Sequence, residues 1–259
     1  MILEVENLAY RYHNGPAIFH DVNFRLEQGE ILSILGTNGA GKSTLLNCLG
    51  NLYSPCAGEI RLDGTSMRRL PLTQVSRLVS YVPQIHYPVY AYSVRNFVVM
   101  GRTPYIGAFS RPKKEDYEKA DQALEKLRIS HLAEKAYTEI SGGERQQVTI
   151  ARALAQEPKV ILLDEPTAHL DYGNQIRTVR LIRELADDGY GVIMTTHNPD
   201  HVLMLGGKVG VLDREGRMEF GDAKTILTEE KLSRLYQVRL RLVKVEGLDR
   251  EACVASMSG

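Results

Sequence analysis

One stretch constrains this chain more than any other: Gly36-Thr-Asn-Gly-Ala-Gly-Lys-Ser-Thr44 satisfies the pattern G-x-x-x-x-G-K-[ST]. It follows the apolar run Ile31-Leu-Ser-Ile-Leu35 and opens a helical stretch over residues 43–50. A buried strand, a glycine loop and a helix in that order are the context the pattern needs. The glycines let backbone N–H groups curl around phosphate oxygens, and the helix N-terminus adds a favourable dipole. Gly36, Asn38, Gly39, Gly41, Lys42, Ser43 and Thr44 are therefore candidate phosphate-binding residues. Lys42 is expected to reach the β- and γ-phosphates, and the Ser43 hydroxyl to ligate Mg²⁺. The loop specifies a nucleoside triphosphate; by itself it does not specify a reaction.

A second apolar run, Val160-Ile-Leu-Leu163, ends in Asp164-Glu165-Pro166. Asp164, at the carboxyl end of a strand, is the candidate Mg²⁺ ligand. Glu165 points elsewhere and is the candidate for orienting or deprotonating a water. Such a triplet also serves as a simple chain turn, and the phosphate loop upstream is what favours the chemical reading. Between the two lies Ile140-Ser-Gly-Gly-Glu-Arg-Gln146, which opens another helical stretch. Ser141, Gly142 and Gly143 form a further anion-binding helix end, and Ser141 with Glu144 has capping-box spacing. The two readings are compatible, since capping geometry is what exposes the N–H groups.

Short buried runs alternating with amphipathic stretches imply βα units and a mostly parallel sheet. Residues 2–12 and 17–28 alternate apolar and polar around a turn at 13–16, which predicts an antiparallel pair. Residues 112–128 have helical spacing and lie between the two halves of the phosphate chemistry. Residues 209–213 and 217–220 read as a hairpin. The predicted fold class is α/β: a P-loop core with a mostly parallel sheet, an N-terminal antiparallel β subdomain and an inserted α-helical subdomain. The nucleotide-binding domain is expected over 1–240, its helical part at about 88–157, with a C-terminal tail over 241–259 whose last 15 or so residues lack clear periodicity and are expected to be loosely ordered.

Lys+Arg and Asp+Glu are both 32 in a chain of 259 residues, which points away from a nucleic-acid partner. Cys48, Cys56 and Cys253 show no paired spacing, as expected of free thiols in a reducing compartment. No apolar run approaches the roughly 18–20 residues that span a bilayer, and the acidic start is unlike a signal peptide. If such a chain serves a membrane, it does so from the cytoplasmic side and through a partner.

With Ile-Ser-Gly-Gly-Glu at 140–144, between the phosphate loop and the acidic strand end, the chain resembles the ATP-binding-cassette family, whose signature loop is LSGGQ. The resemblance runs from Leu3 to about Leu240. It implies an ATPase that uses ATP and Mg²⁺. Tyr12 looks like the aromatic that stacks on adenine, with Tyr10 a nearby competitor. Gln84, in Tyr-Val-Pro-Gln, resembles the glutamine that completes the Mg²⁺ and water shell. Ala168-His-Leu-Asp171 looks like the loop whose Asp crosses a dimer interface, His169 departing from the commoner pattern. His197, after Ile193-Met-Thr-Thr, resembles the histidine that contacts the γ-phosphate. The family works as a head-to-tail dimer in which Ser141 of one copy would complete the ATP site of the other.

The Met-Gly-Arg-x-Pro segment at 100–104 and Thr-Ala-His-Leu-Asp-Tyr-Gly-Asn-Gln175 are similar to importers of chelated iron, haem and cobalamin, and to a molybdate-type importer in the same branch. That implies two integral membrane permease subunits and an extracytoplasmic binding protein. Tyr87, Tyr90 and Tyr92 are the candidate socket for a permease helix. An exporter ATPase shares every catalytic residue. A non-transport cassette protein is disfavoured by the single cassette and the zero net charge.

Overall fold

The computed structural model describes residues 1–256 apart from 14, 85–89, 108 and 249. In chain order its elements are β1 (Leu3–Arg11), β2 (Ala17–Leu26), β3 (Ile31–Leu35), α1 (Lys42–Leu49), β4 (Ala57–Leu62), β5 (Thr65–Ser66), α2 (Leu72–Leu78), β6 (Val79–Val82), α3 (Val94–Val99), α4 (Lys114–Lys126) and α5 (Gly142–Ala155). There follow β7 (Val160–Leu163), α6 (Tyr172–Asp187), β8 (Gly191–Thr196), α7 (Pro199–Leu205), β9 (Lys208–Leu212), β10 (Met218–Asp222), α8 (Ala223–Ile226), α9 (Glu229–Tyr236), β11 (Leu240–Lys244) and β12 (Glu251–Ala255).

A six-stranded sheet in the order β10-β9-β3-β8-β7-β6 forms the centre, parallel except for β10. Its inner strands are buried on both faces, which is why they read as unbroken apolar runs. Alternate residues feed two cores. Ile161, Leu163, Val192 and Met194 pack against α3, α4, α5 and α6. Val160, Leu162, Ile193, Leu32 and Ile34 pack against α1 and the antiparallel sheet β2-β1-β4-β5. The predicted N-terminal pair and the 209–220 hairpin both form, within a residue or two of the expected bounds.

Strands β6 and β7 are hydrogen-bonded neighbours, so the chain leaves the sheet after Val82 and returns beside itself at Val160. Helices α3, α4 and α5 fill that excursion. The expected boundary at residue 88 lies outside the described residues. The Met-Gly-Arg segment has a packing role here. A side chain at Gly101 would run into the Arg152 carbonyl. The buried Arg102 donates to the Ala155 carbonyl at 2.8 Å and to Glu157 at 2.8 Å, and pairs with Asp116 at 3.3 Å. A buried guanidinium with several acceptors is tolerated because its donors are matched. It ties the excursion to the end of α5.

The C-terminal tail, its last 15 or so residues expected to be loosely ordered, forms the antiparallel hairpin β11–β12. Leu240 joins a third core with Leu35, Val202, Val209, Ala223, Ile226, Leu227 and Leu232, and Leu242 and Cys253 pack against it. The pattern is hard to read because half of the strand residues are exposed and the few apolar anchors dock on neighbouring helices, α9 just before the hairpin and α7 some way upstream.

Candidate active site

Strands β3, β8, β7 and β6 run parallel and adjacent, so their carboxyl ends open on one edge. Ligands of open α/β sheets bind at such edges. Here the four ends deliver the phosphate loop, His197, the Asp164–Glu165 pair and Tyr81 with Gln84. The cleft there measures about 450 Å³ and is lined by Tyr12, Ile18, Asn38, Gly39, Gly41, Lys42, Ser43, Thr44, Gln84 and Glu165.

Gly39 and Gly41 have φ of 82° and 98°, the left-handed region in which glycine carries no penalty. That turn lifts the loop and starts α1 at Lys42. The Lys42 ammonium lies at 6% exposure, donating to the carbonyls of Gly36 at 2.8 Å and Thr37 at 3.2 Å. It also pairs with Glu165 Oε1 at 3.2 Å.

Asp164 is buried and fully engaged. Its Oδ1 accepts from Ser43 Oγ at 3.0 Å and from Thr195 Oγ1 at 2.7 Å, and its Oδ2 accepts from the Tyr81 phenol at 3.1 Å. Burial, and then the Asp164 charge, push the Tyr81 phenol well above its usual range, so it stays a donor. Tyr81 and Thr195 as supports for Asp164 escape a sequence reading. Each lies next to last in its strand, and the sheet order makes both strands neighbours of β7.

Glu165 has a φ of 45°. Left-handed backbone in a non-glycine residue costs on the order of 1–3 kcal/mol and persists only when its surroundings enforce it. The Thr195 hydroxyl accepts from the Glu165 amide at 2.8 Å, and the carboxylate is held by Lys42 and by His197 Nδ1 at 2.9 Å. Asp164 and Glu165 thus diverge, as expected, yet serve the same cleft. Glu165 is buried while the His197 side chain is 54% exposed, so the imidazole sits at the rim.

Tyr12 and not Tyr10 reaches the cleft. Tyr10 stacks between Phe19 and Tyr53 at 6.2 and 5.5 Å, whereas Tyr12 is 44% exposed and meets Tyr10 edge-on at 5.0 Å. Its hydroxyl is 3.0 Å from Thr44 Oγ1, which fixes the ring beside α1.

Ser141, Gly142, Gly143 and Asp171 lie apart from this cleft. Ser141 caps α5: its Oγ accepts from the Glu144 amide at 3.3 Å, and the Glu144 carboxylate accepts from the Ser141 amide at 2.7 Å. The Ser141 hydrogen bonds hold the Glu144 carboxyl below its usual range. Asp171 caps α6 and accepts from the Asn174 amide at 2.9 Å. Gly143 packs on the Asn174 side chain, so the two helix starts adjoin and face out of the chain together. Of the tyrosine socket, Tyr90 and Tyr92 are exposed with ring centroids 5.7 Å apart, and Tyr87 lies outside the described residues.

Fold and site define a P-loop ATPase. Residues 19–168 match the ABC transporter family, and the chain belongs to it. An uncharacterized ABC transporter ATP-binding protein of Haemophilus influenzae is 40% identical over 94% of this chain and 92% of its own length. The molybdate import ATP-binding protein MolC of the same species is 40% identical over 91% of this chain and 88% of its own. A solved structure assigned to a metal-chelate type ABC transporter, in an inward-facing conformation, is 37% identical and superimposes with a TM-score of 0.87 over 98% of this chain and 97% of that one.

Proposed function

We propose that this chain is the ATP-hydrolysing subunit of a type II importer for a metal chelate such as an iron–siderophore, haem or cobalamin. The observation that carries the enzymatic part is the convergence of Lys42, Ser43, Asp164, Glu165 and His197 on one strand-end cleft. Phosphates lie on the N–H groups of the 36–44 loop and on Lys42, with the purine against Tyr12. Glu165 orients the attacking water and accepts its proton, and His197 contacts the γ-phosphate from the rim. Ser43, Asp164 and Gln84 offer hard oxygen donors with a single carboxylate among them, a set suited to Mg²⁺ held jointly with substrate phosphates. When bound, that ion neutralises phosphate charge.

The ATPase domain spans 1–240, with residues 88–157 as its helical subdomain. Ser141, Gly142, Gly143 and Asp171 act across a head-to-tail dimer, which their outward placement supports; a C₂ pair then closes two identical composite sites. Among the described residues no helix is long and apolar enough to cross a membrane. The dimer sits peripherally on the cytoplasmic face, against two permease subunits that receive cargo from an extracytoplasmic binding protein. The 40% identity to a molybdate import protein supports a molybdate-type oxyanion as the second reading of the cargo.

The test is ATPase activity of the complete transporter in liposomes, with its binding protein loaded in turn with ferric siderophore, haem, cobalamin or molybdate. Stimulation by a chelate supports the first reading, and stimulation by molybdate alone the second. Indifference to any loaded binding protein removes the importer assignment and leaves the ATPase.

A further inference from the structure

His197 holds an exposed ring at the rim, and the peptide that follows it is held at its two ends from two different directions. Strand β8 ends at Thr196. The Asn198 amide turns back to Thr196 Oγ1 at 3.0 Å, and α7 begins at Pro199. The carbonyl of His197 itself is bonded from far away in sequence: the Tyr236 phenol donates to it at 2.7 Å across a separation of 39 residues.

We propose that Tyr236 is a positioning residue for ATP hydrolysis, holding the His197 peptide so that the imidazole faces the γ-phosphate. This rests on the reading of His197 given above. Tyr236 occupies the last position of α9, and Gln237 ends that helix in the left-handed region with φ of 57°. Burial pushes its phenol well above the usual range, so it remains a donor at any working pH.

The support behind it is rigid. Glu229, at the start of α9, accepts from the Leu242 amide at 2.9 Å and from Arg241 at 2.9 Å, locking the helix to β11. Lys231 reaches Glu219 on β10 at 2.6 Å, and Leu232 is buried in the third core. A second tie runs from β12, where the Cys253 amide donates to Asp200 Oδ1 at 2.8 Å in the first turn of α7. The C-terminal lobe therefore grips the His197 turn at both ends, by Tyr236 on its first residue and by β12 on Asp200. Beyond its contact with Glu165, the exposed ring takes its direction from the main chain, so freeing the carbonyl end of the His197–Asn198 peptide, with Thr196 Oγ1 still on its N–H end, widens the arc His197 samples. Phosphate binding does not depend on that arc, whereas hydrolysis does.

The test compares Tyr236→Phe, Asp200→Ala and His197→Ala with the parent in the full-length chain, following ATPase rate against ATP concentration together with direct nucleotide binding and thermal melting. Losing one neutral hydrogen bond predicts a kcat lower by about three- to tenfold for Tyr236→Phe, with KM and ATP affinity within about twofold. Asp200→Ala lowers kcat in the same sense, and His197→Ala lowers it further. Adding His197→Ala to Tyr236→Phe produces no additional loss beyond His197→Ala alone, because Tyr236 acts only through His197. Tyr236→Phe with parental kcat, beside a crippled His197→Ala, overturns the positioning role while leaving His197 in place. Parental turnover in His197→Ala overturns both. A Tyr236→Phe that melts early and loses kcat and ATP affinity in proportion also overturns the proposal, since that pattern belongs to a structural residue.

Discussion

Two regions of this chain are built from the same ingredients, glycines at a helix start with a charged neighbour, and they are used in opposite ways. The 36–44 loop faces inward: Lys42 is buried, and Asp164, Glu165 and Tyr12 bond to Ser43, Lys42 and Thr44 of the loop. The 141–143 loop faces outward, its cap complete and its Ser141 exposed, alongside the equally exposed Asp171. In one region the Lys42, Ser43 and Thr44 side chains all find partners within the chain, while the other satisfies only its own helix end and leaves the rest exposed. In the dimer proposed above, that division would separate binding from turnover.

The largest expected effect lies in the inward region. Glu165→Gln should retain ATP binding and lose about 100- to 10,000-fold in hydrolysis, because the carboxylate that takes the water proton is gone. Hydrolysis within a few-fold of the parent would remove Glu165 from the catalytic role.

Next is the outward region. Ser141→Arg should leave ATP binding of the isolated chain nearly intact and lower hydrolysis by about 100-fold or more, by obstructing the partner's phosphates. Loss of the cap costs only about 1 kcal/mol, a small shift in melting. Mixing Ser141→Arg with Lys42→Ala should recover part of the activity, since one mixed interface then pairs an intact Lys42 with an intact Ser141. Full activity of Ser141→Arg alone would collapse the distinction between the two regions.

The smallest effect falls at the seam between them, where His201 joins α7 to Thr167 on the way from Glu165 to Asp171. The Asn198 side-chain Nδ2 donates to Nε2 at 3.2 Å, so Nδ1 carries the proton toward Thr167 Oγ1 at 3.2 Å. Burial lowers the His201 pKa below its usual 6.5, only partly opposed by Asp200. The neutral ring is thus favoured in the folded chain, and the unfolded chain binds more protons below pH 6.5. Stability should therefore fall as pH drops through that window. Between pH 8 and 5.5, the parent should lose about 2–4 °C more in Tm than His201→Gln. The neighbouring His197, Glu165 and Asp200 are the same in both proteins, so equal losses would show that His201 contributes nothing.

The phosphate loop, Asp164–Glu165 and Ser141 with its capping partner were legible because each acts through consecutive residues. Their backbone geometry is local, and short motifs encode local geometry. Tyr236 was not legible, since nothing in the amphipathic helix α9 distinguishes a tyrosine that packs from one that reaches a carbonyl 39 residues away. The C-terminal hairpin was missed for a related reason: its order comes from docking and not from its own pattern.

Sequence alone determined the α/β class, the buried parallel strands, the inward phosphate chemistry and the family resemblance, because hydrophobic period and glycine-loop spacing are one-dimensional signals. Only the tertiary structure decided which tyrosine lines the cleft, that Tyr81 and Thr195 share Asp164, that Lys42 and His197 both hold Glu165, and that the C-terminal lobe grips the His197 turn. Those contacts follow from the order in which strands lie side by side and from what docks over them. That order comes from packing the whole chain, and no short window of residues carries it.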